Sequence, residues 1–420
     1  MGANGSSDFF GGEESAWSDD SEDDALGSIQ PHLMSPQKLV SLHSQMRTRK
    51  AKLGPASGDQ PSFTEIIEDD DDEPEEDYRK GGYAEISAGD MLQHKYVVER
   101  KLGWGVYSTV WLADESTANR KVAIKVQKSS PEYVRAAQNE IALLRAIMAE
   151  AESHDGPGDR CLVRLLDVFE LKGPNGVHSS MVFEVLGHSV LGLLQTQDRC
   201  PVPTAAYITC QILEGLSFLH TKCAVMHTDV KPENVLFVPG SSRTWPAVKI
   251  VDLGNASVVK NQIARQIQTR EYRSMEAIVG SWPFACAVDV WSVAAMLFEL
   301  VTGEILFDAA TNTEHCKGCT KDELHLAQII KYTGPIKSTI LDKGRSSKQY
   351  VASALLARAE RNFDTSALSK RLAEFVSTTE AQALAGVICQ GLTHRPNERP
   401  TAKELESGLL KACPACPQIV

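Results

Sequence analysis

Apolar and polar residues alternate in three short segments from Tyr96 onwards, YVVERKL, STVWLAD and KVAIKVQ, with turn residues between them; this predicts a small antiparallel sheet. The period then lengthens. In PEYVRAAQNEIALLRAIM a proline opens the segment and Val134, Ala137, Ile141, Leu144 and Ile147 recur at helical spacing, so a helix is expected. Strand-like runs return at LVRLLDVF and SSMVFEVL, and from about Thr204 the pattern is mostly helical, with no internal repeat. This order predicts an α+β chain of two lobes, a small antiparallel β-sheet lobe with one helix and a larger, mainly helical lobe.

Composition sets the limits of that folded part. Residues 1 to about 80 are rich in Gly, Ser and Asp, and only Pro74 is uncharged between Glu68 and Asp77. The expected organisation is a disordered acidic tail over residues 1–90, a folded domain over 91–412 divided near residue 186, and a short tail over 413–420. The first 90 residues hold 21 acidic and 7 basic side chains; of the chain's net charge of -12 they carry -14, leaving +2 on the rest. A near-neutral domain argues against direct nucleic-acid binding and for protein partners. The acidic blocks either attract or shield something basic or are simply solvated. Ser18 and Ser21, each before an acid, suit an acid-directed kinase, and Arg47, Arg49, Lys50 and Lys52 have the composition of a nuclear-import patch.

No run of 18 apolar residues occurs, and MGANGSSDFFGGEE lacks the charged-then-apolar order of a secretory signal, so a soluble intracellular protein without membrane contact is expected, with a monomer as the default. The 10 cysteines are scattered and read as reduced thiols. Cys316 with Cys319, and Cys413 with Cys416, have the spacing of half a zinc site, or are ordinary loop and tail thiols.

The remaining motifs follow the order that phosphoryl transfer requires: donors over the phosphates, a placed lysine, a base near the attacking hydroxyl and metal-binding groups. Gly103-Trp104-Gly105-Val106-Tyr107-Ser108 lies between two predicted strands, where small residues let backbone N–H groups approach phosphates; Ser108 stands where a third glycine usually falls. Val122-Ala123-Ile124-Lys125 ends a strand, and Glu140 lies on the next helix where it can pair with Lys125. In His227-Thr228-Asp229-Val230-Lys231-Pro232-Glu233-Asn234, Asp229 is placed to accept the hydroxyl proton, Lys231 to neutralise the transferred phosphoryl and Asn234 to hold a metal. Asp252-Leu253-Gly254 supplies a second metal ligand one strand later. Glu276 is expected to pair with Arg399 as scaffold, and Asp289-Val290-Trp291-Ser292 opens an apolar helix.

The strings KLGWG.YSTVWL, MVFEVLG, TKC..MHTDVKPEN, VDLGNA and QTREYRS resemble the SR-protein kinase family over about Asp90 to Leu410, and DYRKGGY also fits. The resemblance implies the bilobal protein kinase fold and phosphorylation of serines in arginine/serine-rich splicing factors, in cytoplasm and nucleus, with ATP and Mg2+ as cofactors. It implies an ATP cleft lined by Leu102, Gly103, Trp104, Gly105, Val110, Ala123, Lys125, Glu184 and Leu186. Thr228 replaces the arginine that grips an activation-loop phosphate in many kinases, so activity without an upstream kinase is expected. Two departures matter. Only about ten residues separate Phe237 from Val248, where the family often carries a long insert, and in the docking groove Glu304 and Asp322 are acidic while Leu324 and Lys331 replace expected carboxylates. Competing readings are a LAMMER-type dual-specificity kinase, a pseudokinase scaffold and a zinc-mediated interaction site.

Overall fold

Residues 73–153, 156–242, 244–262, 264–308, 319–337, 340, 350 and 353–417 are described by the structure, a computed structural model of the chain. Strands β1 (Met91–Leu92), β2 (Tyr96–Gly105), β3 (Ser108–Glu115), β4 (Arg120–Gln127), β5 (Leu165–Gly173) and β6 (Gly176–Glu184) form one antiparallel sheet in the order β1-β2-β3-β4-β6-β5. The three alternating segments become β2, β3 and β4. Alternation sends Val122, Ile124 and Val126 into the small-lobe core with Val98, Trp111 and Val182, and puts Ala123 and Lys125 on the opposite face. The register pairs Val110 with Lys125 and Leu112 with Ala123, so these four share that second face.

Helix α1 (Pro131–Ser153) follows β4 as the spacing predicts. Its buried Ile141, Leu144 and Ile147 belong to a cluster that spans both lobes, with Met181 of β6, Leu162 ahead of β5, and Leu253 of the large lobe. Leu162, expected to begin a strand, instead bridges to Ile250, and β5 starts at Leu165.

The large lobe comprises α2 (Val190–Gln197), α3 (Val202–Thr221), α4 (Met275–Val279), α5 (Ala287–Thr302), α6 (Lys321–Thr333), α7 (Ala354–Arg361), α8 (Ala367–Leu372), α9 (Thr378–Gly391) and α10 (Ala402–Ala412). Two-stranded pairings join β7 (Val225–Met226) to β10 (Ser257–Val258) and β8 (Val235–Phe237) to β9 (Val248–Ile250). Helix α5 is buried from Val288 to Thr302, as befits its apolar sequence, and is the axis of the lobe. Helices α6, α9 and α10 each start in a capping box, Thr320 with Glu323, Ser377 with Glu380 and Thr401 with Glu404. Among the described residues no helix is long and apolar enough to cross a membrane.

Three expectations need correction. The tail does not extend to residue 90: Glu73 pairs with Lys101 at 2.6 Å, and Tyr83, Ala84 and Ile86 are buried against the small lobe. At the other end Cys413 and Cys416 are buried in the large-lobe core rather than lying in a tail, and the Cys416 thiol contacts Cys210 of α3. Cys319 is disulfide-bonded, so not every cysteine is a free thiol. Cys316, Ser18, Ser21 and the basic cluster at residues 47–52 lie outside the described residues. Among the described residues no group of three or more His, Cys, Asp or Glu side chains is placed to hold a metal ion.

The Glu276–Arg399 pair forms as expected and ties α4 to the lobe. The Arg399 guanidinium donates to both Glu276 oxygens (2.9 and 3.0 Å), to the Ala287 carbonyl (2.6 Å) and to the Thr393 carbonyl (3.0 Å), and lies 5.0 Å from the Trp291 ring centroid. With both partners buried, Arg399→Ala strands a carboxylate in the core and should cost about 3–5 kcal/mol in urea unfolding, whereas Arg399→Met combined with Glu276→Met should recover much of the loss.

Candidate active site

The hairpin of β2 and β3 carries the glycine-rich segment. Gly103 pairs with Val110 and Gly105 with Ser108, and a register shift between Lys101 and Gly103 places Leu102 at an irregularity of the strand. A Cβ added at Gly103 or Gly105 would meet no protein atom within 4 Å. Packing therefore does not explain these glycines; open space under the hairpin does, and it suits an approaching phosphate chain. Ser108, in the third-glycine position, is buried and pairs across the ladder with Gln127. At the far end of the cleft Leu186 is buried, and the Glu184 carboxylate accepts from Lys249 Nζ (2.6 Å) and the Arg164 N–H (2.9 Å). Both bonds are made by Oε1, which is thus committed to the protein.

Lys125 is the meeting point of the two lobes. Its Nζ donates to Glu140 Oε1 (2.8 Å) and Oε2 (3.1 Å) on α1 and to Asp252 Oδ1 (2.9 Å) in the large lobe. Burial works against the ammonium, but Asp252 and Glu140 outweigh it and hold the Lys125 pKa above its ordinary value. The Lys125 charge in turn draws the Asp252 pKa down to about 2 despite desolvation. Burial pushes the Glu140 carboxyl upward, only partly offset by Lys125. Gly254 has little room for a side chain: a Cβ there would lie 3.3 Å from both Asp252 Oδ1 and Glu140 Oε2.

The segment from His227 to Asn234 is suspended from α5. The Asp289 carboxylate, fully buried, accepts from the backbone N–H groups of His227 and Thr228, both at 2.8 Å, and contacts His220 Nε2 at 2.8 Å. Burial alone would raise the Asp289 pKa, but these hydrogen bonds prevail and lower it. Thr228 has φ of 64°, and its hydroxyl donates to the Asn255 carbonyl at 2.7 Å. Asp229 follows, with Oδ1 accepting from the Thr269 hydroxyl (2.7 Å) and N–H (3.1 Å) and Oδ2 lying 2.9 Å from Lys231 Nζ. Lys231 also donates to Thr269 Oγ1 at 3.1 Å; burial disfavours its charge, yet Asp229 more than compensates and raises its pKa. Asn234 spends its amide nitrogen on the Asp229 carbonyl (2.9 Å) and carboxylate (3.3 Å), leaving its side-chain oxygen for a cation. With the ionised Asp252 this makes a pair of hard oxygen donors, a set that fits a divalent ion bridging phosphates.

Comparison with known proteins agrees with this geometry. The protein kinase domain family matches residues 96–408. The serine/threonine-protein kinase SRPK of Physarum polycephalum is 35% identical, over 80% of this chain and 90% of its own. Protein kinase dsk1 of Schizosaccharomyces pombe is 30% identical over 62% of this chain and 70% of its own. The chain belongs to the SR-protein kinase family. SRSF protein kinase 3 of Homo sapiens, 26% identical over 68% of this chain and 80% of its own, matches it too. This chain is accordingly a protein serine/threonine kinase, of a fold class that works with ATP and a divalent metal.

The kinase places its predicted residues in two groups. Gly103, Gly105, Val110, Ala123, Lys125, Glu140, Asp229, Lys231, Asn234 and Asp252 belong to the hairpin, the shared sheet face and the two polar clusters just described. Glu304 and Asp322 lie elsewhere and are not free: Glu304 pairs with Arg371, and Asp322 with Arg270 at 2.6 Å. Leu324, expected to replace a surface carboxylate, is buried core, while Lys331 stacks over Tyr332 at 4.8 Å. Thr269 is not among the residues expected at the site; its place in QTREYRS is the only signal, and the hydrogen bond to Asp229 spans 40 residues.

Asp252, with a pKa below its ordinary value, contributes stability that is present above the ordinary carboxylate range and lost as pH falls through about 2. In a Lys125→Met kinase the main cause of that depression is gone. Acid unfolding, followed by circular dichroism, should then begin at a higher pH than in the wild type.

Proposed function

We propose that this kinase transfers the γ-phosphoryl group of ATP, with Mg2+, to serines in arginine/serine-rich splicing factors and thereby regulates mRNA splicing. The observation that carries the catalytic part is the complete Lys125–Glu140–Asp252 linkage beside a fully tethered Asp229. Family membership supports the substrate class, since the human relative is named for SRSF proteins. Asp229 orients the serine hydroxyl and takes its proton, held in place by Thr269 and Lys231. Lys231 also offsets the charge that develops on the transferred group. Lys125 secures the α and β phosphates, and Asn234 and Asp252 hold the metal. ATP and Mg2+ supply the transferred group and charge neutralisation when bound.

Two features refine this reading. The Thr228 hydroxyl joins the catalytic segment directly to the turn after Asp252, a link that needs no phosphate, which supports activity without activation-loop phosphorylation. The docking acids Glu304 and Asp322 are already held by Arg371 and Arg270, so substrate arginines compete with the enzyme's own guanidinium groups. Each contact forgone weakens docking by up to about 1.5–3 kcal/mol, so long repeats are phosphorylated in separate encounters rather than in one. The enzyme works as a monomer in cytoplasm and nucleus, with proteins rather than nucleic acid as direct partners.

Phosphate transfer from ATP and Mg2+ to an arginine-serine repeat peptide should be strong, and weak to a lysine-serine peptide of the same length. Asp229→Asn should lower the first rate by at least about 100-fold. Transfer to general acceptors but to neither repeat peptide would leave a kinase with a different substrate. Phosphatase-treated enzyme should keep its full rate, and loss of activity on that treatment would overturn the claim of independence from loop phosphorylation.

A further inference from the structure

Residues 73–83, ahead of the kinase domain match at residue 96, are bound to three separate parts of the small lobe. Glu73 reaches Lys101 on β2 through both oxygens, at 2.6 and 2.8 Å. Asp77 pairs with Lys128 at 2.8 Å, just past the end of β4. The backbone N–H groups of Ser129 and Ser130, in the link from β4 to α1, donate to the carbonyls of Gly82 (3.1 Å) and Gly81 (3.0 Å). Asn175, in the turn between β5 and β6, donates to the Tyr83 carbonyl at 2.9 Å and accepts from the Gly81 N–H at 3.0 Å. The loop is tightly wound: Tyr83 N–H donates to the Asp77 carbonyl at 2.9 Å, and a Cβ on Gly82 would lie 1.8 Å from that same oxygen.

The product of this winding is the position of one side chain. Tyr83 is 1% exposed, its ring lies under Lys128 Nζ at 4.1 Å, and its hydroxyl donates to the carbonyl of Gly105 at 2.7 Å. Gly105 is the second glycine of the phosphate-facing hairpin. In a planar trans peptide the carbonyl and the following N–H point in opposite directions, so holding the Gly105 carbonyl fixes the Val106 N–H on the other side. Lys128 N–H donates to the Tyr107 carbonyl at 2.8 Å, and the Tyr107 ring packs on Tyr133 of α1 at 5.4 Å. The hairpin tip is thus anchored from outside by Tyr83 and from behind by the β4–α1 link on which the same strap rests.

Building on the kinase assignment above, we propose that residues 73–83 form a positioning strap for nucleotide and that Tyr83 is its working residue, setting the hairpin so that its N–H groups meet the ATP phosphates. A glycine-rich hairpin has intrinsic freedom to turn its peptide planes, and a single external hydrogen bond at Gly105 removes that freedom before ATP arrives. Tyr83 touches no reacting atom; it acts through Gly105.

The test uses the full chain with steady-state kinetics in ATP and in acceptor peptide. Tyr83→Phe deletes one hydroxyl from a packed ring and should raise KM for ATP roughly three- to tenfold, the range expected of one net hydrogen bond, with KM for peptide and the melting temperature nearly unchanged. Gly82→Ala drives the strap's own turn apart at the Asp77 carbonyl and should raise KM for ATP at least as much, and Tyr83→Phe added to it should have little further effect. Unchanged KM for ATP in both variants, or a fall confined to melting temperature and active fraction, would overturn the strap as a positioning device. A wild-type chain without phosphate transfer would instead count against the kinase assignment, so the two failures are distinct.

Discussion

The Lys125 ammonium, clamped between Glu140 and Asp252, is the interaction on which the rest of the molecule converges. It joins β4, α1 and the turn after β9, which belong to different layers and different lobes. An ammonium largely removed from water demands two carboxylates, and each carboxylate in turn is placed by its own element. The sheet alternation that buries Ile124 in the small-lobe core aims Lys125 to the opposite face, toward α1, and the helical period that buries Ile141 and Leu144 sets Glu140 on the facing turn. Gly254 keeps the approach open because a side chain there would crowd both acids.

The second cluster is organised differently. Asp229 receives its geometry from backbone amides and from residues far along the chain: Asp289 secures the peptide groups before it, and Thr269 grips its carboxylate. The large lobe therefore holds Asp229 in a hydrogen-bonded cradle, while the small lobe presents the glycine hairpin and Lys125. The Lys125 linkage joins these two supports.

Much of this was legible from residue order. Periods of two and 3.6 located β2, β3, β4 and α1, and the spacing of Asp229, Lys231 and Asn234 brought three polar side chains into one cluster, because those contacts are local. Partners that meet only in the fold were not legible. The acids of Glu73–Asp77 look like solvated tail until Lys101 and Lys128, 28 and 51 residues away for the pairs formed, are brought beside Glu73 and Asp77. The acidity of Glu304 and Asp322 is plain in the sequence, but nothing there shows Arg371 and Arg270 lying against them. A charge can be read from a residue type; its neutralisation depends on tertiary neighbours.

Helix α1 follows β4 in sequence, and its Ile141, Leu144 and Ile147 share one apolar cluster with Met181 of β6 and with Leu162 and Leu253. Glu140 stands on the same helix, one turn before Leu144. The helix is thus a seam between sheet and large lobe, and the depth to which three aliphatic side chains sink into that seam sets how near a carboxylate comes to Lys125.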